Sequence, residues 1–321
     1  MSSDDLGYFP RGQSILRRVH DERFVGLFYG QRALCIGALA PLNYVGTSEH
    51  SAGKLTPFKR LVRTAKAFEA IYFGTKTEAD KVLGYVAKMH DKVTGVLPED
   101  AGVTAKGTPY SAYDPAEMLW TVAVIADSAQ LFYELFVRKL HSDEREALWQ
   151  DYLRFGELFG MPRDKCPATY DAFRSYYEGE LRSERMFLTD EARYVGHATA
   201  FEIPMPRSRQ PGKRVHDAIM LGSLPSRARE LYGLHYGQRE KAAYQAGVRM
   251  IRAARRTAPK FVTHGSCMRP FDMVAATERR RIERGEWTPQ IREGMFSSPG
   301  AQRPAPPSPA SQQADEGRRA A

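Results

Sequence analysis

The chain has 321 residues, 42% of them hydrophobic and 11% aromatic, which is enough to bury a large core and excludes a disordered protein. Three widely spaced cysteines, Cys35, Cys166 and Cys267, without any Cys-x-x-Cys pair, exclude a disulfide framework and a cysteine zinc site. The longest apolar run, 33–42, contains Pro41 and stops at Asn43, short of the ~20 residues of a membrane span.

Apolar periodicity predicts helices over 12–29, 32–42, 57–73 and 76–96, the last two flanking Phe73-Gly74-Thr75. Asp114-Pro115-Ala116-Glu117 sets an N-cap carboxylate, a proline at the first helical position and a glutamate at the third, and so opens an apolar helix over 115–139. Ser142-Asp143-Glu144 opens the next with acids in its first turn, and Gly160-Met161-Pro162 closes it. Further helices are predicted over 168–184, 189–200 and 236–257, with a short turn opened by Leu224-Pro225. No segment sustains an alternation rich in Val, Ile and Thr, so the fold class is all-α. Residues 1–11 form an N-terminal segment, 12–296 one helical domain, and 297–321 a Pro-, Ala- and Ser-rich tail expected to be disordered.

The net charge of +9 is concentrated, since residues 207–293 hold nineteen Lys/Arg against eight Asp/Glu. Arg249, Arg252, Arg255 and Arg256 alternate with apolar residues at helical spacing, the pattern of a solvated face opposite a buried one. No specific nucleic-acid binding and at most peripheral membrane contact are therefore expected. The acidic start, Met1-Ser2-Ser3-Asp4-Asp5, lacks the basic and apolar regions of a secretory signal, and a cytoplasmic location is expected.

Glycine-rich phosphate loops, Glu-x-x-His pairs, His-Glu-x-x-His and Gly-x-Ser-x-Gly are all absent. Isolated histidines remain. His90 sits at the edge of a stripe formed by Val82, Val86, Met89 and Val93, where an imidazole is either a satisfied core histidine or a ligand facing a cavity. Arg60 and Thr64, one helical turn apart, share a face of the preceding helix. Arg60 suits an anionic group of a buried cofactor or an ordinary ion pair; Thr64 suits a hydrogen bond to such a cofactor or to its own backbone. His50 is either a group supporting that site or a loop cap. Asp91, adjacent to His90, points about 100° away on a helix and is not its expected partner.

The ordered set Ala33-Leu34 with Ala40-Pro41, Glu49-His50-Ser51, Arg60-Leu61-Val62-Arg63-Thr64, Phe73-Gly74-Thr75, Met89-His90-x-x-Val93-x-Gly95, Tyr110-x-Ala112-x-Asp114-Pro115 and Trp120 resembles the family of bacterial rubber oxygenases (latex-clearing proteins) and mpaB-like oxygenases. Gly160-Met161-Pro162, Cys166-Pro167 and Arg229-Glu230-Leu231-Tyr232-Gly233 continue it, so that the resemblance covers about residues 12–260. It implies an all-helical domain with a buried pocket for one haem b, whose iron is ligated by His90. By the same resemblance Arg60 and Thr64 lie near the haem and Glu49 is the candidate base. The implied activity is a haem-dependent oxygenase using dioxygen on a hydrophobic substrate, unsaturated, terpenoid or lipid-like. The helical pattern by itself also suits a carrier of a hydrophobic small molecule, or a basic interaction module.

Overall fold

Residues 115–136 organise the molecule. The segment is apolar all round, and such a helix is stable only where other elements cover it on every side. In the computed structural model, which describes residues 6–50 and 56–286, it is the central helix α7 (Pro115–Phe136), with Trp120, Ala123, Ala129 and Phe132 wholly buried. Before it come α1 (Ile15–Asp21), α2 (Arg23–Gly26), α3 (Tyr29–Gly37), α4 (Pro41–Glu49), α5 (Pro57–Phe73) and α6 (Lys76–His90). After it come α8 (Ser142–Leu158), α9 (Tyr170–Arg182), α10 (Asp190–Phe201), α11 (Gln210–Ser223), α12 (Ser226–Tyr232), α13 (Gln238–Thr257), α14 (Lys260–Thr263) and α15 (Met268–Glu283). Helices α2, α3, α4, α8, α9 and α13 pack on α7, while α6 and α15 lie on α5 and α10 lies on α3. The one sheet among the described residues is a hairpin, β1 (Thr94–Val96) paired antiparallel with β2 (Pro109–Ser111).

The expected stop and start signals act as their chemistry dictates. Asp114 Oδ1 accepts from the amides of Ala116 and Glu117 at 2.9 and 3.2 Å and so caps α7. Gly160, in the left-handed region at φ 93°, ends the chain's path out of α8. The charged groups that α7 carries into the core are all paired: Glu117 with Arg185 at 2.5 Å, Asp127 with Arg32 at 2.7 Å and with Arg174, and Glu134 with Lys139 at 2.9 Å and Arg145 at 3.0 Å. The solvated-face reading of α13 also matches the structure. Its Gly247 and Val248 are buried, Arg249 and Arg256 are exposed, and Arg252 donates to the Glu134 and Leu135 carbonyls at the end of α7.

Several boundaries differ from the sequence expectations. The helix expected over 12–29 breaks at Glu22, whose extended backbone bridges to His264 and whose carboxylate takes Arg255. The helix expected over 32–42 ends at Gly37, and Pro41 begins α4 at its first position rather than closing α3. The helix expected over 76–96 stops at His90, and residues 94–96 form β1 instead. Helices α11 and α15 were not anticipated, because Pro211-Gly212 and Pro270 mask their first turns.

Cys35, Cys166 and Cys267 are free thiols, and burial pushes Cys35 and Cys267 up to about 12. Among the described residues no single helix is long and apolar enough to cross a membrane. Ser51 of the Glu49-His50-Ser51 motif and the tail 297–321 lie outside the described residues.

Candidate functional site

The site is built on the α5–α6 pair. Pro57 starts α5 at its first position, where a missing amide is no loss. The chain then reverses at Phe73-Gly74-Thr75: a Cβ on Gly74 would lie 2.5 Å from the Ala70 carbonyl oxygen, so only glycine lets the turn close. Thr75 restarts the chain with a reciprocal capping box to Glu78. Two helices joined by so short a turn run antiparallel. Their register is pinned where Arg63 donates to the Tyr85 hydroxyl at 2.6 Å, which brings Arg60 and His90 to the same end of the pair.

His90 occupies the last position of α6. The inward stripe of that helix is Ala79, Val82, Leu83, Val86 and His90, whereas Met89, expected in the stripe, is 41% exposed. His90 is thus half-buried on the inner face, with Tyr113 edge-on at 6.0 Å and Phe159 tilted at 6.4 Å between ring centroids. Desolvation lowers its pKa, with Asp91 opposing weakly, so the imidazole is neutral at neutral pH. Asp91 accepts from the Tyr113 hydroxyl at 3.0 Å and does not bond the ring, as its helical position predicts.

What distinguishes His90 is the absence of a partner. His20 Nε2 meets the Tyr152 hydroxyl at 2.8 Å, His216 Nε2 meets Gln31 Oε1 at 2.9 Å, and His264 Nδ1 meets the Thr263 hydroxyl at 2.8 Å. His197 faces Glu202 at 3.3 Å and His50 has a long contact of 3.4 Å with the Tyr110 hydroxyl. Among the described residues His90 is the one buried or half-buried histidine whose ring has neither a hydrogen bond nor an ion pair. Both ring nitrogens therefore remain available.

The other sequence candidates separate. Arg60 carries a guanidinium whose pKa burial lowers and the nearby Tyr44 hydroxyl raises, and it has no carboxylate partner among the described residues. Thr64 is exposed on α5. Glu49 is exposed at the end of α4, and His50 caps that helix against Tyr110 of the hairpin. Tyr44 of α4 is an electrostatic neighbour of Arg60, and Tyr44 and Ser48 in turn lie beside Glu191 of α10. Ser48 Oγ donates to Glu191 Oε1 at 2.8 Å, while Glu191 Oε2 and the Tyr44 hydroxyl, electrostatic neighbours, are both buried without a well-formed hydrogen bond among the described residues. Burial pushes Glu191 up to about 7, opposed by Ser48 and Tyr44 and reinforced by Glu49.

Sequence reasoning missed Glu191, which lies 143 residues from Ser48 and in no motif. Tyr44 and Ser48, four apart, did carry a signal as polar groups on one helix face. Helix α4 links the two halves of the site. Its Tyr44 and Ser48 face α10, and its Gly46 lies against Val93 and Tyr110, where a Cβ would approach Val93 Cγ1 to 3.2 Å.

Among the described residues no group of three or more His, Cys, Asp or Glu side chains is spaced to hold a bare metal ion. A haem requires one axial imidazole and cationic groups for its propionates, and a neutral, unpartnered His90 with an unpaired Arg60 fits that donor set.

The family profile described as the catalytic domain of ER-bound oxygenase mpaB/B′ and rubber oxygenase matches residues 17–253. Two curated relatives, uncharacterized proteins of Mycobacterium bovis and Mycobacterium tuberculosis, are each 22% identical over 203 residues, covering 63% of this chain and 76% of their own length. No solved structure matches.

Proposed function

Since the chain belongs to the family of mpaB/B′ and rubber oxygenase catalytic domains, we propose that it is a haem b-dependent oxygenase acting with dioxygen on a hydrophobic, unsaturated terpenoid or lipid-like substrate. The observation that carries this reading is the neutral imidazole of half-buried His90, whose ring has neither a hydrogen bond nor an ion pair among the described residues and so keeps its nitrogens available to a ligand.

A bound haem b supplies the one-electron chemistry that lets dioxygen react with a closed-shell hydrocarbon. The protein's own residues do the rest. His90, at the end of a well-capped helix, presents a ring nitrogen without first having to break a bond. Tyr113 and Phe159 flank that ring edge-on and tilted, at 6.0 and 6.4 Å between centroids. Arg60, charged at any working pH, would hold an anionic group of the bound cofactor, such as a propionate. Tyr85 and Met89, 53% and 41% exposed on the flank of α6, form an apolar strip suited to a hydrocarbon or to the edge of a porphyrin. Thr64, one turn from Arg60, offers a hydroxyl from the open side of α5.

The test is dioxygen uptake by hemin-loaded, chemically reduced protein with squalene as an unsaturated probe. Uptake that needs both hemin and squalene, with oxidised squalene recovered, is the expected result. Uptake indifferent to squalene, to retinoid and to unsaturated fatty-acid probes alike would contradict it.

A further inference from the structure

Between Lys241 and Phe271 the chain carries seven lysines and arginines and no acidic residue. Two of the seven are used inside the fold: Arg252 donates to the Glu134 and Leu135 carbonyls, and Arg255 pairs with buried Glu22. The other five, Lys241, Arg249, Arg256, Lys260 and Arg269, are exposed, and none forms an ion pair among the described residues. The acids bonded into this stretch already have partners. Glu22 turns inward to Arg255 and His264, and Glu69 accepts from the Ser266 hydroxyl at 2.6 Å and the Cys267 amide at 2.8 Å.

With these charges goes Phe261, 78% exposed and the most exposed large hydrophobic side chain among the described residues, with Val262 beside it at 38% and Met250 at 57%. Its exposure is not that of a loose loop. Arg23 donates to the Phe261 and Val262 carbonyls at 2.9 and 2.8 Å and to the Ser266 carbonyl at 3.1 Å, and Glu22 bridges to His264. The backbone of α14 is thus clamped to α2 while the Phe261 ring faces out. On α13, Met250, Ala254 and Thr257 share an exposed side that leads toward Pro259 and α14, and Arg249 and Arg256 are exposed alongside.

We propose that the α13–α14 face, with Phe261 at its tip, docks this protein on an anionic lipid surface. Basic side chains are drawn to anionic headgroups, and an aromatic ring is favoured at the boundary between headgroups and acyl chains, so one such surface satisfies both features of the face. Other occupants fit less well. Duplex nucleic acid would use the charges and leave Phe261 in water. A second copy packed face to face would set these cations against themselves, and residues 287–321 of the chain carry four arginines against three acids, so neither offers the complementary charge. Lys260 and Phe261 lie beyond residues 17–253, which the family profile matches, and the docking face does not depend on the oxygenase reading.

The experiment is cosedimentation of the full chain with phosphatidylcholine vesicles, either pure or containing about one-third phosphatidylserine, at roughly 0.05 and 0.5 M salt. Binding to the anionic vesicles at low salt is expected, with none to the neutral ones and none at high salt. Phe261→Ala should weaken it by at least about tenfold and the triple variant R249Q/R256Q/K260Q by about a hundredfold. A control triple, K106Q/K165Q/R182Q, removes three exposed cations elsewhere and should leave binding near the wild-type value. Every replaced side chain is exposed, so the variants keep the fold. The proposal is overturned if the wild type ignores the anionic vesicles, if Phe261→Ala binds them as the wild type does, or if the control weakens binding as much as the triple variant. A DNA duplex bound in place of the vesicles, or a dimer that Phe261→Ala dissolves without any vesicle binding, overturns it as well by giving the face another partner.

Discussion

His90 and Arg60 are both half-buried, and among the described residues neither has a carboxylate partner, which leaves an imidazole and a guanidinium available to a ligand. Loss of the Arg60 charge in Arg60→Gln should weaken hemin binding by roughly tenfold in an absorbance titration, the size of one charge-assisted bond, while Arg60→Lys retains part of it. Glu191 makes a different prediction. Its folded pKa is raised above the unfolded value, so the folded state binds the extra proton; stability is greatest below the unfolded pKa and falls as pH rises through the window up to about 7. That loss amounts to about 3 kcal/mol if the full shift is expressed. Thermal melts across this window should therefore fall more steeply for the wild type than for Glu191→Gln; parallel curves would remove the carboxyl from the account. Only part of this residue-scale picture is legible in the sequence. The place of His90 at the edge of an apolar helical stripe and the Arg60–Thr64 spacing are readable there, but the end of that helix at His90 and the lack of a partner are properties of the packed structure. Glu191 becomes visible only when α10 is laid beside α4.

At the scale of elements, the α5–α6 turn and the α7 cap do the positioning. Gly74→Ala would force a Cβ into the Ala70 carbonyl and should cost about 2 kcal/mol in chemical denaturation, loosening the register that the Arg63–Tyr85 bond records. Asp114→Ala removes the acceptor for two amides of α7 and should cost about 1 kcal/mol in the same measurement. Both elements are legible in the sequence, because their signals are local: a glycine before a capping box, and an aspartate before a proline. α4 is less so. Pro41 reads as a stop after an apolar run, yet it serves as the first residue of a new helix, and that choice depends on the extended Ala40 before it. The break at Glu22 has the same origin, since distant Arg255 and His264 hold the chain out of a continuous helix.

At the scale of the whole molecule, α7 is largely buried, and segments more than 230 residues apart meet at Glu22, 4% exposed, where α1, α2, α13 and α14 are tied together. Arg255→Ala would leave that carboxylate buried without its arginine and should lower global stability by about 3 kcal/mol, with the change appearing in one cooperative transition. The same basic stretch that raises the net charge thus spends Arg252 and Arg255 on internal bonds. The all-helical class was readable from periodicity, and membership of the oxygenase family follows from the profile over residues 17–253. The haem b assignment at His90 is the central claim, and the visible spectrum of hemin-loaded wild type and His90→Ala tests it most directly. A Soret band with about one haem b per chain by pyridine haemochrome, altered or lost in His90→Ala, is the predicted result. A colourless wild type that refuses hemin, or a His90→Ala variant with an unchanged spectrum, would contradict it.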